Sequence, residues 1–132
     1  MMSVRHRSTA VLEKCLRWGV PAEALLFLEV NNMKASVAIQ VLPAAPNQDE
    51  LIRIVDEVIA YIKSRGLHCH VGPFETTIEG EDYDELMDIV KQCQHVAVRA
   101  GAQSVSAYVK VVYRPAGDIL TIDKKITKHA ET

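Results

Sequence analysis

Aromatic residues make up only 5 % of this 132-residue chain, as one Trp, two Phe and four Tyr. That scarcity weighs against a sheet that stacks RNA bases, which needs exposed rings beside basic groups. Excess charge is also missing. Fifteen basic residues face 17 acidic ones, a formal charge of −2, so no long-range field draws in nucleic acid. The densest basic run, Lys124, Lys125, Lys128 and His129, falls where a terminal helix would end and suits the negative end of its dipole. Three cysteines, Cys15, Cys69 and Cys93, are too few and too far apart for a disulfide framework or a structural zinc site. They read as buried thiols in a reducing compartment, the cytoplasm. No apolar run is long enough to span a bilayer. There is no Gly-rich phosphate loop, and no serine carries a motif-placed histidine and acid. The expectation is a protein with no catalytic residue, no required cofactor, and no nucleic-acid or membrane partner.

What is present is an apolar content of 48 % in a chain with room for one modest core. Residues 1–32 differ from the rest. "MMSVRHRST" is basic and lacks acids, and "AVLEKCLRWG" and "PAEALLFLEV" each suit a short helix, broken at Gly19-Val20-Pro21. A basic leader suits an organellar presequence, but Glu13, Glu23 and Glu29 weaken that reading. We read 1–32 as an appended, partly helical, loosely attached segment, 33–129 as the folded domain and 130–132 as a tail. Trp18 receives no position from the pattern.

From residue 34 the periodicities are legible. "KASVAIQVL" (34–42) alternates, with Val37, Ile39 and Val41 on one face and Ser36, Ala38 and Gln40 on the other. Pro43 to Pro46 ends that strand, and Asn47 with Glu50 marks a helix start whose stripe is Leu51, Ile52, Val55, Val58, Ile59 and Ile62. "LHCHV" (67–71), the turn Gly72-Pro73 and residues 74–80 form a hairpin. A second helix starts at Asp82, carries Leu86, Ile89, Val90, Cys93 and Ala97 inward, and stops at Gly101. "SVSAYVKVVYR" (104–114) is the last strand, and Ile119, Ile122 and Ile126 suggest a short terminal helix. The order β-α-β-β-α-β names a ferredoxin-like α+β sandwich. Two helices cover one face of a four-stranded antiparallel sheet, with a short C-terminal helix added.

The helices must bury their stripes against the more apolar strand face. Parity then sends Gln40, Tyr108, Lys110, His68, His70, Glu75, Thr77 and Glu79 to the open face, and Phe74, Thr76 and Ile78 inward. A bulge at Gly72-Pro73 would reverse the third strand. Three readings of the open face stay open: a wet surface, a subunit interface, or an interface with a ligand pocket at its margin. His68 and His70 share a face, yet a zinc site wants more ligands than Glu75 or His95 supply. Glu75 and Glu79 stand about 13 Å apart along one strand, too far for a glycosidase pair.

"ASVAIQVLP" (35–43), "GPFETTIEG" (72–80), "DELMDIVKQC" (84–93) and "AGAQSVSAYVKVVYRP" (100–115) together resemble the thiamine-binding protein family over residues 34–129. The resemblance implies a ferredoxin-like fold, a homodimer or homotetramer, and binding of thiamine or its hydroxymethylpyrimidine part without chemistry. It implies a site at the glycine-led segment, on Thr77 and Glu79. Around them strand parity adds Gln40, Tyr108, Lys110 and Glu75, with Phe74 as a second aromatic. This chain departs from the family pattern at Pro73-Phe74, where a small residue is usual. The competing reading is a structural or regulatory oligomer with no small-molecule ligand.

Overall fold

The computed structural model describes residues 33–129. The readings placed on 1–32 and 130–132, with Cys15 and Trp18 among them, lie outside the described residues. Within them the elements are β1 (Ala35–Pro43), α1 (Gln48–Ser64), β2 (His68–Val71), β3 (Thr76–Gly80), α2 (Tyr83–Arg99), β4 (Val105–Tyr113) and α3 (Ile122–Ile126), then a 3-10 turn at Thr127–His129. The sheet order is β2-β3-β1-β4, with every neighbour antiparallel. This is the ferredoxin-like arrangement, with β1 and β3 central.

Local chemistry sets the boundaries. The Asn47 side chain accepts the Glu50 N–H at 2.9 Å and starts α1, and Asp82 accepts the Asp84 N–H at 2.9 Å and starts α2. At the far end of α2 the Gly101 N–H reaches the Val98 carbonyl and the Ala102 N–H reaches Ala97. That left-handed close needs φ +119°, which a glycine adopts without penalty. Tyr83 at the head of α2 packs on Tyr113 at the end of β4, ring centroids 4.6 Å apart.

The core lies between the helices and one sheet face. Val37, Ile39 and Ile78 meet Ile54, Val58 and Ile62 of α1 and Leu86, Ile89, Val90, Cys93 and Ala97 of α2. Burial pushes the Cys93 thiol up to about 11, so at neutral pH it stays an uncharged core group. The stripe of α1 is centred on Ile54, which the sequence reading omitted, while Ile52 is exposed. Two residues at 100° each turn Ile52 about 200° from Ile54, onto the wet side. Val109 and Val111 of β4 share the helix-facing parity of the core, but each remains 38 % exposed. The helices concentrate on the central strands and leave this edge incompletely covered.

The hairpin carries no bulge. Its register runs His68↔Glu79, Cys69↔Ile78, His70↔Thr77, Val71↔Thr76, and the Gly72 N–H continues it to the Glu75 carbonyl at 2.9 Å. A Cβ on Gly72 would sit 3.0 Å from that carbonyl oxygen, so any side chain there would press on the turn. β3 begins at Thr76, not at residue 74. Phe74 therefore belongs to the turn and is 79 % exposed, a correction to its expected inward packing.

Candidate functional site

The open face forms ordered cross-strand rows. One row runs His70, Thr77, Ala38, Lys110; the next runs His68, Glu79, Ser36, Val112. Serine and alanine on the central strand are short, while the residues on the flanking strands are longer. A depression over β1 follows from that difference alone. It becomes a cavity because the chain returns over this face after β4.

That return is anchored step by step. The Lys34 ammonium contacts the Asp118 carboxylate at 3.0 Å, and the Ile119 N–H donates to the Met33 carbonyl at 3.0 Å. Thr121 caps α3 by accepting the Lys124 N–H at 3.3 Å. Glu79 then holds the helix down, its Oε2 accepting the Ile122 N–H at 2.9 Å. Glu79 and Ile122 are each only 3 % exposed. His68 Nε2 stands 3.9 Å from Glu79 Oε1 and 3.4 Å from Asp123 Oδ1.

Between α3 and the sheet lies a cavity of about 240 Å³. Ser36 and Ala38 line it from β1, His70 and Thr77 from the hairpin, and Lys110 and Val112 from β4. Glu75 enters from the turn before β3; Ile122, Lys125 and Ile126 close it from α3. Its walls are thus mixed, with apolar surface beside hydroxyl, imidazole, carboxylate and ammonium groups, as small-molecule sites tend to be.

Of the seven residues singled out from sequence, the structure brings Thr77, Glu75 and Lys110 together around this cavity. Glu79 shares their face but is engaged by α3 and does not line the cavity. Gln40 and Tyr108 face each other in the register one row further along, and Tyr108 is 72 % exposed. Phe74 lies on the other side of the sheet, lining a shallow cleft of about 90 Å³ with Val55, Val58 and Ile59 of α1. It is not placed to stack on anything held over Thr77. Sequence reading did not assign Ile122, Lys125 and Ile126 to the site. The signal was present in Ile119 and Ile122, two apolar groups beyond the last strand that need a surface to bury against. Among the described residues no group of three or more His, Cys, Asp or Glu side chains could hold a metal ion. No described helix is long and apolar enough to cross a membrane.

Comparison with known proteins fits this geometry. The family model for thiamine-binding proteins matches residues 37–130. The chain belongs to the thiamine-binding protein family. A UPF0045 protein of Clostridium perfringens is 40 % identical over 94 residues, spanning 71 % of this chain and 95 % of the relative. A solved Bacillus cereus domain of unknown function superposes with a TM-score of 0.66 at 36 % identity, covering 74 % of this chain and 91 % of that one. A solved Thermotoga maritima protein, described as a proposed thiamine biosynthesis/salvage protein, gives a TM-score of 0.63 at 33 % identity, covering 73 % of this chain and 98 % of that one. As a thiamine-binding family member, the chain carries a non-catalytic small-molecule-binding domain.

Proposed function

We propose that this protein is an oligomeric cytoplasmic binder of a thiamine-related compound, held in the cavity between α3 and the helix-free sheet face. The observation that carries the reading is the cavity itself, polar and apolar by turns, built over two small residues of a central strand. An aminopyrimidine offers an amino donor and ring-nitrogen acceptors. The Glu75 carboxylate suits the donor, and the hydroxyls of Thr77 and Ser36 suit the acceptors. Glu79, assigned to the donor from sequence, already accepts the Ile122 N–H. A volume of about 240 Å³ is below the roughly 300 Å³ at which drug-sized pockets begin. That favours the single hydroxymethylpyrimidine ring over the two rings of thiamine. Calorimetric titration with both compounds tests the reading, with Thr77→Val as the comparison. The expected result is binding of hydroxymethylpyrimidine by the wild type, weakened about tenfold when the hydroxyl is removed. No heat from either compound would overturn it.

Self-association belongs to the same reading. The Arg114 N–H donates to Lys34 and the Ala44 N–H to Ser104, so the even positions of β4 bond to β1. The odd ones, from Val105 through Val109 to Tyr113, turn their N–H and C=O groups to the edge that no described strand pairs with. Nine residues of edge strand with a single charge invite a second strand. Two copies of β4 pairing about Val109 would use the whole strand and set each Tyr108 opposite the other copy's Lys110, a cation–π contact. Light scattering at micromolar concentration is expected to give a dimer or tetramer. Val109→Pro, which removes an N–H that β1 does not use, is expected to give the monomer. A monomeric wild type would count against the assembly.

A further inference from the structure

We infer that the cavity is built for an anion: its ligand carries a phosphate monoester, held by the ammonium groups of Lys110 and Lys125. The inference rests on the ligand-binding reading above and names the chemical class within it. Lys110 enters from β4 in the same cross-strand row as Thr77, and Lys125 enters from α3, so two separate elements each bring a lysine to the lining of one small cavity. Neither lysine pairs with a carboxylate among the described residues. Three other basic side chains do find carboxylate partners. Lys34 contacts Asp118, Lys91 contacts Asp88, and Arg53 lies between Glu50 and Glu57. Glu79, two residues beyond Thr77, has its Oε2 taken by the Ile122 N–H and is hidden beneath α3. Only Glu75 offsets the two lysines along the cavity wall.

An empty cavity with a net positive lining recruits an anion through a local field, even on a chain whose overall charge is −2. A thiazolium cation would meet the two lysines unfavourably. A neutral pyrimidine alcohol would leave them unused. A phosphate monoester gives both of them charge-assisted partners, and the hydroxyls of Thr77 and Ser36 supply further donors within the same lining. Because Lys125 belongs to α3, the anion would also tie the closing helix to the sheet. The ligand's charged group and the wall above it would then order together.

The test is a titration of the full chain with hydroxymethylpyrimidine, its phosphate monoester, thiamine and inorganic phosphate, each at low and high salt. The wild type is expected to prefer the phosphate ester to the alcohol by about tenfold or more, since charge-assisted bonds exceed neutral ones by about that much. The preference is expected to shrink with added salt. In Lys110→Gln, Lys125→Gln and the double variant, the ratio of the two affinities is expected to fall stepwise toward one. Both lysines are exposed, so the variants should fold. Equal wild-type affinities for alcohol and ester would overturn the anion site and leave the ligand-binding reading standing. So would a preference that survives in the double variant. Failure of every compound to bind would overturn both.

Discussion

Replacing Glu79 with lysine is expected to release α3 from the sheet and abolish the cavity, while the βαββαβ core stays folded. The carboxylate is 3 % exposed and accepts the Ile122 N–H at 2.9 Å. An ammonium group there cannot accept that hydrogen bond and faces a backbone donor, and a buried unpaired charge costs about 3 kcal/mol or more. The chain can avoid that penalty by letting α3 swing away, which instead exposes Ile119 and Ile122. Burying one such side chain is worth about 1.5–3 kcal/mol, so both routes are expensive and of similar size. Hydrogen exchange should therefore quicken at Ile122–Lys125 by at least about a hundredfold, with the amides of β1 and β3 keeping their protection. Glu79→Gln keeps an oxygen that can accept the Ile122 N–H and loses only the charge assistance. It should give a milder release, of about 1 kcal/mol. Unchanged exchange at Ile122 in Glu79→Lys would show that something other than this carboxylate holds the helix.

The fold was legible in the sequence because each local signal agrees with the global arrangement. Asn47 and Asp82 cap the helices where the apolar periods begin, and Gly101 closes α2 where its period ends. The alternation of Val37, Ile39 and Val41 with Ser36, Ala38 and Gln40 sorts the two faces of β1. The hairpin was the weak point: a Pro73-Phe74 turn permits either a regular or a bulged return, and only the Gly72–Glu75 hydrogen bond distinguishes them. The shift of Phe74 from strand to turn followed from the same uncertainty.

The site was legible by halves. Strand parity placed Thr77, Glu75 and Lys110 on one face, and their gathering around one cavity follows from that parity plus the register. What parity cannot supply is a covering element. Whether residues 114–129 double back over the open face or project from it depends on the turn at Gly117 and on contacts such as Lys34 with Asp118. Those contacts join positions more than eighty residues apart, outside any periodic window. Glu79 shows the consequence. Its position and face read as those of a ligand group, yet the returning chain reaches it first.

Ile78→Ala and Thr77→Val, neighbours on β3, are expected to separate stability from binding. Ile78 is fully buried against both helices, and removing its three outer carbons leaves a hole that close-packed neighbours cannot fill. The expected loss is about 2–5 kcal/mol, which lowers the melting temperature of a domain this size by roughly 10 °C or more. Thr77 points to the opposite face and lines the cavity. Valine keeps its shape and its preference for strand, so unfolding should move by less than about 0.5 kcal/mol while the ligand is held more weakly. Thermal melts and titrations on the two variants make the comparison direct. Melting losses of similar size would mean that both faces of β3 contribute to one core. The helix-free side would then be packing surface, with no room for a ligand above Ser36 and Ala38.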